Sequence, residues 1–138
     1  MLIAHLVACA FMCGVIWIIQ ILHYPAFRDI EDAKFRAFHR GHSGRISFIV
    51  APVMIGELAS GTWLLYKDAQ NVWLIANFVL LLATWISTFA LSVPIHNSLE
   101  KAKDIKKIEK LIQTNWPRTL AWSARLLILA VYLGVVRG

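Results

Sequence analysis

Three of the chain's five histidines lie in one stretch, at His23, His39 and His42, and a fourth is His96. Imidazole groups bind transition metals and transfer protons near neutral pH. His39 and His42 are three residues apart, so they would share one face of a helix. These four histidines are therefore candidate ligands for iron, copper, zinc or haem, or candidate acid–base groups. The alternative is that they are interfacial histidines that bond to backbone and lipid headgroups.

Two charged residues, Glu57 and Arg125, stand inside apolar runs. A charge at membrane depth is costly and usually faces a bundle interior, where it is paired. Both residues lie about 12–17 Å from the ends of their runs at a rise of 1.5 Å per residue, so we expect them to pair. The pair is compatible with a structural role in helix register and with substrate anchoring or proton transfer. Without this partner, Glu57 is expected to be protonated or metal-bound.

Four long apolar runs must position these groups. They cover residues 2–22, 46–66, 72–93 and 117–136, and each has about the 20 residues that a helix needs to cross a bilayer. The chain has 138 residues, of which 59% are hydrophobic, a share too high for an ordinary soluble domain. We predict an all-α fold, a single integral membrane four-helix bundle that occupies residues 1–138.

The segments between the runs predict two amphipathic helices at the membrane surface. Residues 27–45 and 95–116 each carry an apolar stripe among charged residues. We expect Gly41 and Gly44 to break the first of them, and prolines 25 and 94 to mark the ends of the first and third spans. Pro52 is expected to kink the second span.

The basic residues predict the topology. Only Lys67 and Arg137 mark one side of the membrane. The two long loops on the other side carry eleven basic residues: Arg28, Lys34, Arg36, Arg40, Arg45, Lys101, Lys103, Lys106, Lys107, Lys110 and Arg118. The positive-inside rule then places both long loops in the cytoplasm and both termini in the periplasm of an inner-membrane, multi-pass protein. These charges suit anionic headgroups rather than nucleic acid, for which no basic–aromatic motif is present.

Alternating spans bring certain helix ends together. The ends of spans one and three and the starts of spans two and four meet at the cytoplasmic face. This gathers His23, His39, His42 and His96 and leaves His5 alone at the other face. Three sets of candidate residues follow. Glu57, Arg118 and Arg125 are the candidates for catalysis or for holding an anionic or quinone-like substrate. The candidates for cofactor binding are His23, His96, Asn115 and Trp122. The candidates for metal binding are His23, His39, His42 and His96.

Two pairs of small residues in the spans are interpreted as packing residues. Cys9 and Cys13 are expected to be buried apolar residues rather than a disulfide or a metal pair. The spacing Gly56-x-x-x-Ser60 allows close contact with another helix at this point.

A set of motifs resembles a family of small bacterial four-span membrane proteins without an assigned activity. The motifs are Gly14-Val15-Ile16-Trp17, Gln20, His23-Tyr24-Pro25, His39, His42, Pro52, Glu57, Val93-Pro94, His96, Asn115-Trp116, Arg118-Thr119 and Trp122-Ser123-Ala124-Arg125. A more distant resemblance, through Pro94, His96-Asn97, Asn115 and Arg118, is to anthrone-oxygenase-like membrane proteins. That resemblance implies oxygen-dependent oxidation of an apolar aromatic compound, although this chain has additional histidines.

Two functions follow as hypotheses. The first is a membrane-embedded oxidoreductase-like enzyme with a histidine-rich site at the cytoplasmic end of the bundle, acting on an apolar or quinone-like substrate. The second is a non-catalytic accessory subunit of a membrane complex, or a membrane protein that binds lipid or another small molecule. The lipid bilayer is a partner in both, and a membrane-protein partner or a second copy of the chain is compatible with either.

Overall fold

The structure is a computed structural model that describes residues 1–137, and within this range it contains helices and no strand. Four helices are long and apolar enough to cross a membrane: Leu2–Asp29, Asp32–Lys67, Val72–Leu99 and Ile105–Val136. The prediction of an all-α four-helix membrane bundle is confirmed.

Two of these four helices change geometry along their length. In the first, α1 (Leu2–Ile18) passes through a π-helical turn, Ile19–His23, into the short α2 (Tyr24–Ala26) and a 3₁₀ turn, Phe27–Asp29. The second is the unbroken α3 (Asp32–Lys67). In the third, α4 (Val72–Ser87) passes through a π-helical turn, Thr88–Ser92, into α5 (Val93–Leu99). The fourth is α6 (Ile105–Arg137).

The predicted surface helices are not separate elements. Most of the first continues without a break into the second span, so the expected break at Gly41 and Gly44 is wrong. The 36 residues of α3 extend about 54 Å, well beyond a hydrocarbon core of about 30 Å. Buried Phe35 and His39, in the first turns of this helix, pack against the bundle and offset the weak helix propensity of glycine. The second surface segment is divided between α5 and the start of α6.

We had predicted that the first and third helices end at Pro25 and Pro94. This is wrong, because both helices continue past these prolines. In both, a five-residue π-helical turn comes first, and the proline is the second residue after it. Proline has no N–H group, so it leaves a carbonyl of the preceding turn without its helical partner. A local π-helical rearrangement is one way in which a membrane helix accommodates this, and such turns are common at functional sites. Pro52 and Pro117 lie inside α3 and α6 on the exposed side of the bundle.

The core forms two clusters, one toward each end of the bundle. Phe27, Phe35, Leu99 and Leu111 belong to the cluster at the end where the histidines lie. The other cluster contains Cys9, Met12, Cys13, Ile16, Met54, Trp122 and Leu129. Both cysteines are buried and free, as expected. Large apolar side chains cover the outside of the four helices, where lipid would contact them.

The short connection between the second and third helices ends in a cap. The Asn71 side chain accepts hydrogen bonds from the backbone N–H groups of Trp73 and Leu74 at 3.1 and 3.3 Å. This satisfies two of the free donors at the start of α4. Because this connection is short, spans two and three are antiparallel. The end of the third helix therefore lies beside the first turns of α3.

Candidate functional site

The four predicted histidines come together at one end of the bundle, and we call them the histidine cluster: His23, His39, His42 and His96. The rings of His23 and His42 are 3.9 Å apart between centroids, and those of His39 and His96 are 5.1 Å apart. The fully buried Phe27 ring contacts His23, His39 and His42 with centroid distances of 5.3–5.5 Å. His23 is the last residue of the first π-helical turn and His96 follows the second one by four residues, and both rings contact histidines of α3.

A line of three hydrogen-bonded side chains runs through the cluster. The Tyr24 hydroxyl lies 3.0 Å from His96 Nε2, and His96 Nδ1 lies 2.9 Å from His39 Nε2. If the tyrosine donates to His96 Nε2, then His96 Nδ1–H donates to His39, and every contact has one donor and one acceptor. The reverse arrangement is equally balanced, so a proton can move along this line without leaving a broken hydrogen bond.

A cavity of about 400 Å³ opens beside this line, between α3 and the third long helix. Tyr24, His96 and Arg118 contribute polar groups to its wall. Aliphatic side chains in the wall come from Ile19, Ile46, Val50 and Val93. The other lining residues are Ser43, Gly44, Ser47, Thr88, Ser92, Asn97 and Glu100. A second cavity of about 410 Å³ lies on the other side of the cluster, against His23, Phe38, His42 and Arg45.

Arg118 belongs to a buried, hydrogen-bonded set of polar side chains, and its partners hold it in place. We call this set the middle network: Gln20, Ser92, Asn115, Arg118 and Thr119. Arg118 Nη1 donates to Ser92 Oγ at 2.7 Å and to Asn115 Oδ1 at 3.2 Å. Asn115 Nδ2 donates to Gln20 Oε1 at 2.8 Å. Three of the four long helices therefore meet at this point. Arg118 Nε has no partner within residues 1–137, although it is buried.

Glu57 and Arg125 pair deeper in the bundle, as predicted. Arg125 Nη2 lies 2.7 Å from Glu57 Oε1, and neither side chain is exposed. The Trp122 indole N–H donates to the other carboxylate oxygen at 3.2 Å. The Arg125 N–H groups are not aligned on any acceptor in the described part of the chain, so the contact is an ion pair rather than an aligned hydrogen bond.

His5 joins this deep pair instead of standing alone. Its Nδ1 lies 2.7 Å from Ser60 Oγ and its Nε2 lies 3.2 Å from Asn77 Oδ1. The Asn77 amide in turn donates to the Arg125 carbonyl oxygen at 3.2 Å. We call this group the deep network: His5, Glu57, Ser60, Asn77 and Arg125. All four long helices contribute to it.

The histidine cluster is not arranged as a metal site in this structure. Within the described range, no three or more His, Cys, Asp or Glu side chains converge on a point where an ion would fit. Three buried imidazole nitrogens nevertheless lack partners among these residues: His23 Nε2, His39 Nδ1 and His42 Nε2. Buried nitrogens without partners are costly, and a bound ion, water or ligand would relieve that cost.

The predicted site residues therefore separate into two places. His23, His39, His42, His96, Asn115 and Arg118 lie at or beside the cavity end. Glu57, Trp122 and Arg125 lie in or against the deep network, away from the histidine cluster. Sequence reasoning did not assign Tyr24, Ser92 or His5 to a site. Their signal was weak, because tyrosine next to a proline suits an interface, a single serine in a span is common, and the topology placed His5 at the opposite face from the other histidines.

The comparisons with known proteins give no relative. No protein-family model, no curated protein and no solved structure matches the chain. What the site does must therefore be argued from its own side chains.

Proposed function

We propose that the chain is a membrane-embedded oxidoreductase-like enzyme that binds an apolar, quinone-like molecule in the cavity beside His96. The observation that carries the proposal is the meeting of Tyr24, His96 and Arg118 on one wall of a cavity with aliphatic sides. Its volume of about 400 Å³ is within the range of small-molecule sites. Most of the cavity surface is apolar, and polar groups from Tyr24, His96, Arg118 and six further residues interrupt it, which suits a ring that carries oxygen atoms.

Each polar group has a role in this proposal. The Arg118 guanidinium, which contributes to the cavity wall, donates to a carbonyl oxygen or a phenolate of the bound molecule. Oxidation of a quinol releases two protons and two electrons. The line Tyr24–His96–His39 takes up the protons, and the electrons pass to oxygen or to a redox partner in the membrane. Oxygen is the acceptor that the distant resemblance to anthrone-oxygenase-like proteins implies.

A second proposal is that the histidine cluster holds iron, copper, zinc or haem. The spacing of His39 Nε2 and His96 Nδ1, 2.9 Å, is the observation that favours it. Two imidazole nitrogens this close could face one ion, because nitrogen ligands lie about 2.0–2.1 Å from a bound metal. His23 and His42 carry the unpartnered nitrogens that would complete the set after their rings reorient. A redox metal here would supply the electron acceptor.

The alternative is a protein that binds without catalysis, as an accessory subunit or a lipid or small-molecule carrier. The same cavity serves both functions, so only turnover separates them. In either case we place the histidine end in the cytoplasm and both termini in the periplasm of the inner membrane, following the basic loops. A homo-oligomer or another membrane protein remains the expected partner.

Binding is tested on protein purified into nanodiscs. A short-chain ubiquinone analogue is titrated while tryptophan fluorescence is recorded. Saturable quenching is expected, and R118M should weaken it at least tenfold because the buried donor to the ring oxygen is lost. R36M, an exposed arginine on α3, is the matched control and should bind as the wild type does. No saturable quenching by oxidised or reduced analogue removes this function.

Turnover is tested with the reduced analogue under oxygen, following quinone absorbance. Faster oxidation than in empty nanodiscs, lost in H96Q while binding persists, supports the enzyme. Saturable binding without any turnover, with and without added iron, copper, zinc or haem, selects the non-catalytic alternative.

A further inference from the structure

The deep network is not used by the proposed function, yet it contains ionisable groups buried inside a membrane bundle. His5 is 1% exposed, and Glu57 and Arg125 are fully buried. Hydroxyl and amide side chains commonly hold membrane helices together by hydrogen bonds. Carboxylate, guanidinium and imidazole groups are more costly in this position, and inside a membrane they mark ion or proton pathways. Helix association alone therefore does not explain the choice of residues.

The networks follow one another along the bundle axis. The deep network begins at His5, near the end of the bundle that carries the N-terminus. The middle network follows at Gln20, and the histidine cluster begins at His23. His5 and His23 are 18 residues apart on the first long helix, which corresponds to about 27 Å at 1.5 Å per residue. This is nearly the thickness of a hydrocarbon core, about 30 Å.

Side-chain hydrogen bonds connect the members of the middle network, whereas in the deep network His5 is linked to the ion pair only through Ser60 and Asn77, which bond to the backbone carbonyls of Glu57 and Arg125. Arg118 joins the middle network to the cavity wall, since its guanidinium donates to Ser92 and lies beside Tyr24. Tyr24 then continues through His96 to His39. The cluster reaches the second cavity through His23 and His42, which gives this end an exit.

A single side chain, Trp122, separates the deep network from the middle network. Its N–H group donates to Glu57, and its ring lies 5.7 Å from the guanidinium carbon of Arg118. An indole does not relay protons between its two sides. Transfer at this point therefore needs rotation of the Glu57 carboxyl group or entry of a water molecule. The N–H groups of Arg125 that have no aligned acceptor in residues 1–137 are donors that would hold such a water.

We propose that these three networks form a proton pathway across the membrane, with Glu57 as its central proton acceptor and the histidine cluster as its far end. The titratable groups that face the Glu57–Arg125 pair are His5 and Cys9, both from α1. Asn77 from α4 and Ser60 from α3 add no charge. The pathway would exchange the protons of the proposed oxidation with the opposite face, and only this purpose rests on the proposed function.

Proton movement is measured directly in vesicles. The purified protein is reconstituted into liposomes of phosphatidylcholine and phosphatidylglycerol that contain a pH-sensitive dye. A potassium gradient with valinomycin then drives protons inward, with no quinone or metal present. We expect flux above that of protein-free liposomes, and loss of this excess in E57Q. E31Q is the matched control, because it is the same substitution at Glu31, an exposed residue outside the networks.

A second variant separates a blocked pathway from a damaged fold. E57Q/R125Q replaces the ion pair by neutral amides that can still hydrogen-bond, and it should also lose the flux while keeping the wild-type elution volume and a cooperative melting transition. Wild-type flux no greater than that of empty liposomes overturns the pathway, as does unchanged flux in a folded E57Q or E57Q/R125Q. Because no substrate is added, none of these results decides the quinone-binding proposal.

Discussion

His39 Nε2 and His96 Nδ1 lie 2.9 Å apart, although their residues are 57 positions apart in the chain. The contact joins the first turns of α3 to α5, just beyond a π-helical turn. It is compatible with one shared proton or with two nitrogens that face the same ion. The two interpretations differ in what purified protein should contain.

Metal content distinguishes them. If the cluster holds iron, copper or zinc, protein purified without chelators contains near-stoichiometric metal, and H39A loses most of it because one ligand and its partner's orientation are removed. Elemental analysis by plasma mass spectrometry gives the amounts. H5A serves as the control, since His5 is at the other end of the bundle. Metal-free wild-type protein that also lacks haem absorption ends this proposal and leaves the shared proton.

Removing one partner of the deep ion pair should destabilise the protein. We expect R125Q alone to lower the free energy of unfolding by about 3–5 kcal/mol, because it leaves the buried Glu57 without a compensating charge. E57Q/R125Q should cost clearly less than the single change. Denaturation in mild detergent, followed by circular dichroism, measures both. Equal or greater loss in the double variant would contradict this account.

The Gly56-x-x-x-Ser60 spacing contacts the first helix at Ser60, whose Oγ lies 2.7 Å from His5 Nδ1, and the tight glycine contact lies at the next residue, Gly61. A Cβ atom on Gly61 would lie 3.1 Å from His5 Cε1 and 3.1 Å from Leu81 Cδ2, whereas one on Gly56 would meet nothing within 4 Å. G61V should therefore destabilise the protein by about 1–3 kcal/mol through overpacking. G56V is the matched control on the same helix and should be close to neutral. The same denaturation assay applies, and equal effects would count against this packing.

The orientation in the membrane remains a prediction from the basic residues. A periplasm-active reporter such as alkaline phosphatase should be active at the C-terminus and inactive after Lys103. A fluorescent protein that folds only in the cytoplasm should give the opposite pattern. Cytoplasmic activity at the C-terminus would reverse the assignment of the histidine end.

The fold was predictable because hydropathy alone defines four spans, and the Glu57–Arg125 pair was predictable because both charges have the same depth. The gathering of the histidines followed from alternating topology. These inferences need no knowledge of how each helix is rotated about its axis.

What could not be predicted depends on rotation and on packing. The glycines at 41 and 44 suggest a helix break from local propensity, but the buried side chains around Phe35 keep α3 continuous. Contacts such as Gln20 with Asn115, or His5 with Ser60, require the helix faces to be known. The π-helical turns before Pro25 and Pro94 have no sequence signature beyond the prolines themselves.

The unbroken α3 helix has a mechanical consequence. His39 and Glu57 are 18 residues apart on it, which is five full turns at 3.6 residues per turn, so both lie on the same side of one rod about 27 Å apart. Between them, Pro52 removes one backbone hydrogen bond and makes that turn the weakest joint of the rod. A bend at this turn would change the orientation of the His39 end of the helix relative to the Glu57 end.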